Sequence, residues 1–221
     1  MPRLRIGICL DVLASDPRVT ARIRQTLDEL ADRATLVVEP IYVLSKRELG
    51  ISSDLVLWER YLLPVSLTAA ADVKALTSER WEMKELQILV QDSASLNQRT
   101  KRLTEYAIAS QTDLLITGTH ARKGVSRILL GSFAESLLRH TPVPLITVSP
   151  DTEFQPANGK SFLLFATDLS EESENGLTQI LPLAKMLGLG IKFLHIMPHL
   201  SATIVQSGVF LLAGSWVPAN E

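Results

Sequence analysis

Short apolar runs alternate with amphipathic stretches along most of this 221-residue chain. The first run, over residues 5–10, reads Arg-Ile-Gly-Ile-Cys-Leu, and a second run covers residues 36–44. Between them, apolar side chains recur at helical spacing, at Val19, Ile23, Leu27 and Leu30. Buried strands that alternate with helices are typical of a parallel sheet covered by helices on both faces. The pattern therefore predicts an α/β fold.

The same alternation predicts the rest of a first domain over residues 1–150. Helices are expected over residues 69–83 and 132–140, and along a stretch whose inner face is Leu103, Tyr106, Ala107 and Ser110. Three further strands are expected over residues 86–90, 114–117 and 143–148. Pro40 lies inside the second apolar run. Because proline donates no hydrogen bond to a sheet, Pro40 predicts an edge strand or a bulge.

The strand–helix–strand pattern begins again after a polar linker at residues 151–160. Asp168 follows the apolar run 162–167 as Asp11 follows the first run. Ser170 is expected to cap a helix that Gly188 ends, and Pro182 within it predicts a kink. A strand over residues 191–197 follows, so residues 161–221 are predicted to be an incomplete second domain. The alternative is that any two strand–helix starts look alike.

Composition excludes several classes of protein. With 46% apolar and 21% charged residues, the chain has enough apolar material for a core. A formal charge of −2 argues against nucleic acid as a partner. The single cysteine, Cys9, excludes a disulfide framework and a thiolate zinc site within one chain. No uninterrupted apolar run reaches ~18 residues and no signal peptide is visible, so we expect a cytoplasmic protein without a membrane partner.

A local cationic segment stands out between the fourth and fifth predicted strands. Gly118 ends one strand, and Gly131 precedes a helix whose first amide groups are unpaired. Arg122, Lys123 and Arg127 lie between these glycines. Cations beside a helix start are suited to a phosphate-bearing ligand. A solvated surface loop is the alternative that these residues leave open.

This segment resembles the phosphate-binding signature of the universal stress protein family. That signature is a glycine, two residues, a glycine, nine residues, then a glycine followed by Ser or Thr. Here it reads Gly118, Ala121 in place of the second glycine, Gly131 and Ser132. Residues 128–148 (ILLGSFAESLLRHTPVPLITV) and the second start at residues 162–198 also resemble the family. Tandem arrangements of the domain occur in this family, which agrees with the internal repeat.

The resemblance implies a five-stranded parallel sheet with helices on both faces, of the adenine nucleotide alpha hydrolase-like type. It also implies a stress-response protein that binds ATP, with Mg²⁺ held through the phosphates, although some members have lost ATP binding. The adenosine end would lie against Cys9, Leu10 and Asp11, and the Val43 backbone would meet the adenine. The ribose and phosphates would be surrounded by Thr117, Gly118, His120, Ala121, Gly131, Ser132 and Phe133.

Three departures from the family pattern leave an alternative function open. Ala121 replaces a glycine, Ala134 stands where relatives often carry a hydroxyl, and the loop after Asp11 lacks the usual Gly-Ser pair. The alternative is a nucleotide-free interaction module of the same fold. Asp11 itself can either hydrogen-bond the nucleoside or satisfy loop amides before the first helix.

No motif predicts a catalytic residue or a metal site. The chain has no Walker loop, and His195 and His199 are separated by Pro198 without an accompanying glutamate. We therefore expect a regulatory nucleotide-binding protein with at most weak ATP hydrolysis and an unknown protein partner. The strand over residues 143–148 would be an exposed apolar edge, which predicts a homodimer that pairs through it.

Overall fold

The computed structural model describes residues 1–10, 16–45, 67, 69–92, 95–119, 132–151 and 161–196, with the backbone alone at residue 132. Strands and helices follow the predicted order, except that one short strand over residues 81–83 precedes the predicted third strand without a helix between them. In chain order they are β1 (Arg3–Cys9), α1 (Pro17–Ala31), β2 (Thr35–Ser45), helical residues 69–76 (α2), β3 (Trp81–Met83), β4 (Gln87–Gln91), α3 (Leu96–Ala109), β5 (Leu114–Gly118), α4 (Ser132–His140), β6 (Leu145–Val148), β7 (Phe162–Ala166), α5 (Glu171–Met186) and β8 (Gly190–Leu194).

The main sheet is parallel throughout and has five strand positions in the order β3–β2–β1–β5–β6. The strand β4 also pairs with β2, beyond the end of β3, so these two short strands share one position. The predicted five-stranded parallel sheet is therefore confirmed, with its outermost strand divided in two. The order of strands reverses at β1, because β2 lies on one side of it and β5 on the other.

The prediction that Pro40 marks an edge strand is wrong, since β2 has neighbours on both sides. The carbonyl of Ile41 accepts a hydrogen bond from Leu10 N, so Ile41 faces β1. Backbone groups alternate sides along a strand, and the Pro40 nitrogen therefore faces the opposite neighbour, at the gap between β3 and β4. A central strand tolerates this proline because the facing strand is interrupted where its N–H would have donated.

The predicted helix over residues 69–83 is too long, because α2 ends at residue 76 and residues 81–83 form β3. Trp81, Glu82 and Met83 pair with residues 36–38 of β2, and Trp81 is buried. Helical periodicity extends into this stretch in the sequence, but pairing with β2 and burial of the indole outweigh it.

Helices cover both faces of the sheet, as expected. On one face, α1 contributes Val19, Ile23, Leu27 and Leu30 to a buried cluster that also contains Leu76 of α2. On the other face, Leu103 and Ala107 of α3 and Leu137 of α4 pack against β1, β2 and β5. The centre of the sheet is thus shielded from water on both sides, and its carboxyl edge is left for a ligand.

The second strand–helix–strand unit is present, with β7 parallel to β8. The Ser170 side chain caps α5 by accepting from Ser173 N at 3.2 Å, and Gly188 follows the helix with a φ of +64°. Both helix-end predictions are confirmed. Leu183 of α5 and Leu187, directly after this helix, join the α1-side cluster of the main sheet. The division into a first domain, a linker and a partial second domain stays a prediction.

Across the described part of the chain, no helix is both long and apolar enough to cross a bilayer.

Candidate nucleotide-binding site

The candidate site lies at the carboxyl edge of the main sheet, next to the point where the strand order reverses. In parallel α/β sheets, ligands bind outside the carboxyl ends of the strands at this point. Cys9 at the end of β1 pairs directly with Thr117 near the end of β5. The strands that carry these two predicted site residues are thus adjacent and flank the reversal.

One apolar cluster brings together predicted residues from three different elements. Cys9 of β1 and Val43 of β2 belong to the buried cluster on the α3–α4 face, and Phe133 in the first turn of α4 packs against it. Three segments that are far apart in the chain therefore meet at one end of the sheet. The structure also changes the role of Cys9: burial raises the pKa of its thiol to about 12, so this group stays protonated and serves as a core side chain.

The end of β5 is held against the end of β6 by backbone and side-chain hydrogen bonds. Thr119 N donates to the Val148 carbonyl at 2.8 Å, and the Thr119 hydroxyl donates to the same oxygen at 3.3 Å. Thr117 and Thr119 are both buried. These hydrogen bonds consequently fix the end of β5 at the point where the glycine signature begins.

Gly118 has a packing role that the sequence did not indicate. A Cβ built on Gly118 would lie 2.2 Å from Cγ1 of Val19 in α1. The missing side chain therefore allows helix α1 to pack closely against β5, a role separate from the contact with ribose and phosphates that the family resemblance implies for Gly118. Any substitution at Gly118 would overlap Val19 of α1, so such variants cannot report on a ligand alone.

Arg99 is a further charged residue at this edge that sequence reasoning missed. Its Nη2 donates to the Val43 carbonyl at 3.4 Å, and its guanidinium carbon lies 5.4 Å from the centre of the Phe133 ring. Arg99 thus contacts two predicted site residues on different elements. The available signal was its place in the first turn of α3, but nothing in a helical pattern shows which strand end that turn will meet.

The structure describes only some of the remaining predicted site residues. Leu10 is half-buried and packs against the α1-side cluster. Ser132 is the first residue of α4, as predicted. Asp11, His120, Ala121 and Gly131 lie outside the described residues. Ala134, where relatives often carry a hydroxyl, is 2% exposed, so its methyl group is packed inside the protein.

The unit β7–α5–β8 shows what an aspartate at the end of a strand can do. Asp168 Oδ1 accepts hydrogen bonds from the backbone N of Ser170 at 3.0 Å and from the hydroxyls of Ser170 and Ser173, each at 2.6 Å. These donors hold the pKa of the Asp168 carboxyl far below its usual range. Asp168 therefore organises the start of α5, which is the structural role considered for Asp11.

His195 has an equally local role. Its Nδ1 donates to the carbonyl of Thr167 at 2.8 Å, which ties the end of β8 to the end of β7. Within the described ranges, no group of three or more His, Cys, Asp or Glu side chains is arranged to hold a metal ion.

The family model described as the universal stress protein family matches residues 4–149. The chain belongs to the universal stress protein family. The match includes the carboxyl edge and the glycine signature, so the identification suggested by residues 118–132 is confirmed. A search of curated proteins finds no match.

Solved universal stress proteins share the fold at low sequence identity. One from Archaeoglobus fulgidus is 16% identical with a TM-score of 0.50, and the alignment covers 66% of this chain and 98% of that one. Another, from Archaeoglobus fulgidus DSM 4304, is 14% identical with a TM-score of 0.60 and covers 92% of this chain and 71% of that one. A universal stress protein from Archaeoglobus fulgidus in complex with dAMP is 18% identical with a TM-score of 0.44, covering 67% of this chain and 99% of that one.

Proposed function

We propose that this universal stress protein binds ATP, with Mg²⁺ through its phosphates, and acts in a stress response as a regulatory module. The observation that carries the proposal is the position of the glycine signature. It begins at the end of β5, directly beside the point where the strand order reverses. The general rule for parallel sheets supports a ligand at this point, and the family resemblance implies the same position.

The elements around this point suit the two ends of a nucleotide. Ser132 begins α4, whose first backbone N–H groups have no partner within the helix and favour an anion. The Val43 carbonyl, across the edge, suits the base. Residues 118–132 also contain Arg122, Lys123 and Arg127, whose charges would balance the phosphates.

We propose no dedicated catalytic activity. Hydrolysis needs a general base or a water-positioning group aimed at the reacting phosphate. Cys9, a titratable side chain at the carboxyl edge, is buried with a raised pKa and does not supply one. Weak ATP hydrolysis is the most that this set of residues suggests.

Calorimetric titration with Mg-ATP tests the binding proposal. Ser132→Asp adds a carboxylate to the first turn of α4, where it favours the helix but repels phosphate. Gln179→Glu, on the exposed side of α5, adds the same charge away from the carboxyl edge. We expect micromolar binding by the unaltered chain and by Gln179→Glu, and at least a tenfold weaker affinity for Ser132→Asp. Equal affinities would place any bound nucleotide elsewhere, and no binding at millimolar ATP would overturn the proposal.

We further propose that bound nucleotide orders residues 118–131 and so alters the surface offered to a protein partner. Trypsin can cleave after Arg122, Lys123 and Arg127. Mg-ATP should slow cleavage at these three positions, with cleavage after Arg80, which is exposed in the turn before β3, as the internal reference. Unchanged cleavage after these three residues would contradict the ordering step.

The homodimer remains a proposal based on the sheet edge. Within the described chain β6 pairs with β5 alone, so its other side offers unused backbone groups. A second copy could continue the sheet through residues 143–148. Light scattering at micromolar concentration should give twice the mass of one chain, and a monomeric mass would contradict this.

A nucleotide-free interaction module of the same fold is the second candidate. One observation favours it: the carbonyl of Val43, which would meet the adenine, already accepts a hydrogen bond from Arg99. The titration with Mg-ATP separates the two candidates directly.

A further inference from the structure

A cavity of about 270 Å³ lies at the edge of the main sheet opposite the carboxyl edge. Leu114 and Leu145, the first residues of β5 and β6, line it together with side chains of α1, β7 and α5. Because β5 and β6 are parallel, their first residues mark the amino edge of the sheet. The cavity is therefore separate from the proposed nucleotide site, and its ligand does not depend on that site.

The interior of this cavity is apolar. Leu30 of α1, Leu114 of β5 and Leu183 of α5 are each at most 8% exposed and form its inner wall. Glu29 and Phe162 also line the cavity but are exposed, so the cavity meets solvent beside them. An apolar cavity of roughly 150 Å³ is enough to hold benzene, and by the same proportion this one suits about ten non-hydrogen atoms.

Two charged side chains of opposite sign, Glu29 and Arg33, line the same cavity. Arg33 is tied to the neighbouring unit, because its Nη2 donates to the Ser161 hydroxyl at 2.6 Å and its Nη1 donates to the Leu187 carbonyl at 3.4 Å. These two bonds engage two of the five N–H groups of a guanidinium. Partial burial raises the pKa of the Glu29 carboxyl, although the charge of Arg33 acts to lower it.

The opposite charges determine which head group fits beside them. A hydroxyl can donate to the Glu29 carboxylate and accept from the Arg33 guanidinium. A carboxylate head would meet the like charge of Glu29, and an ammonium head would meet that of Arg33. Like charges brought together oppose binding, so an uncharged head that both donates and accepts suits this pair best.

We propose that this cavity binds a small amphiphile, an unbranched apolar chain that ends in a hydroxyl, with the chain between α1, β6 and α5 and the hydroxyl beside Glu29 and Arg33. The side chains around an empty apolar cavity lack partners for van der Waals contact on one side, and the bound chain supplies them. Binding would thereby strengthen the packing of α5 against the main sheet.

Calorimetric titration with octan-1-ol tests the position of the ligand. Leu183→Phe places a larger side chain in the space that the apolar chain would fill. Leu181→Phe is the matched control, because it makes the same substitution at an exposed position of the same helix. Thermal unfolding shows whether each variant is folded. If Leu183→Phe does not fold, Ile180→Phe replaces it, since Ile180 is half-buried and lines the same cavity.

We expect the unaltered chain and Leu181→Phe to bind octan-1-ol with a dissociation constant of about 100 µM or below. The affinity of Leu183→Phe should be at least about tenfold weaker. No binding by the unaltered chain at about 1 mM octan-1-ol, or equal affinities for Leu183→Phe and Leu181→Phe, would overturn the proposal.

Octanoate and octylamine test the head group, because they carry a charged head on a chain of the same length. The unaltered chain should bind each of them at least about tenfold more weakly than octan-1-ol. In Glu29→Gln, which removes the negative charge, the affinity for octanoate should rise to within about threefold of that for octan-1-ol. Glu172→Gln, at an exposed position of α5, is the control and should leave the ratio unchanged.

The assignment of the head group can fail on its own. Tighter binding of octanoate or octylamine than of octan-1-ol by the unaltered chain would overturn the uncharged head. An octanoate ratio that Glu29→Gln leaves unchanged would show that the head group does not lie beside this carboxylate, which also contradicts the proposal.

Discussion

The unit β1–α1–β2 and the unit β7–α5–β8 have the same order of elements and the same parallel pairing, but their surroundings differ. In β1, Ile6 and Ile8 are at most 1% exposed, whereas in β7 Leu164 is 60% exposed. The strand β1 lies between β2 and β5 with helices on both faces, while β7 pairs with β8 alone among the described strands. Equal local patterns therefore do not give equal burial, which depends on the neighbours that the rest of the chain supplies.

The connections from the first strand to the helix also differ in length between the two units. Residues 10–16 join β1 to α1, and Asp16 caps that helix by accepting from Arg18 N at 2.9 Å. Only residues 167–170 join β7 to α5, where Ser170 is the cap. More residues thus join the strand to the helix in the first unit, and in the second unit the short connection supplies the helix cap.

The largest expected effect on the free energy of unfolding is the difference between a Leu→Ala substitution in β1 and the same substitution in β7. Leu4→Ala in β1 removes a side chain with no exposed area and should lower the free energy of unfolding by about 2–5 kcal/mol. Leu164→Ala in β7 removes an exposed side chain and should change it by less than about 0.5 kcal/mol. Urea unfolding of both variants measures this, and a loss of similar size in Leu164→Ala would mean that a partner covers β7.

Gly118→Ala should destabilise the protein by about 1–3 kcal/mol, because its Cβ would overlap Cγ1 of Val19. The double variant with Val19→Ala tests the cause by removing the methyl group that obstructs it. A double-mutant cycle from urea unfolding should show a favourable coupling between the two positions. Additive losses would show that the contact with α1 is not what requires glycine.

Gly176→Ala in α5 should raise the free energy of unfolding, in contrast to Gly118→Ala. A Cβ at Gly176 meets nothing within 4 Å, and alanine favours a helix by about 1 kcal/mol over glycine. Gly188→Ala is the matched control, since Gly188 has a φ of +64° and should lose stability on the same substitution. Thermal unfolding that shows a loss for Gly176→Ala would mean that α5 makes a contact there in solution.

The smallest effect expected is the pH response of Asp168. The pKa of the Asp168 carboxyl is lowered in the folded state, so its charged form stabilises the protein at any pH above the ordinary aspartate pKa of about 3.9. This stabilisation is lost as the pH falls from that value towards the lowered pKa. Asp168→Asn should therefore weaken the acid dependence of unfolding below about pH 4. Circular dichroism of both proteins across this range would detect it, and identical acid profiles would contradict the proposed role of the three hydrogen bonds.

Much of the fold could be predicted because it depends on local patterns. Apolar spacing located α1 through Val19, Ile23, Leu27 and Leu30, and the Ser170 cap and Gly188 stop set the ends of α5. The glycine signature indicated the family, and its position after β5 indicated the edge of the sheet where a ligand would lie. These features can be predicted from the sequence because the residues concerned are neighbours in the chain.

The errors occurred where residues distant in the chain decide the outcome. Pro40 is acceptable in a central strand only because β3 and β4 leave a gap opposite it. Trp81 continues a helical pattern in the sequence but pairs with β2 as part of a strand. The family resemblance implies that Gly118 contacts a ligand, whereas the structure shows that Val19 of α1 packs against it. Each case depends on which element packs alongside, and spacing along the chain carries no such information.

The sequence by itself determined the class of fold, the order of the elements, the family and the edge at which a ligand is proposed. The tertiary structure decided which groups face that edge: it buried the Cys9 thiol in the core and brought Arg99 of α3 to the carbonyl of Val43 in β2. The physical reason is that periodicity reports which face of an element is apolar, whereas hydrogen bonds and close contacts at the site form between elements whose relative positions arise only when the core packs.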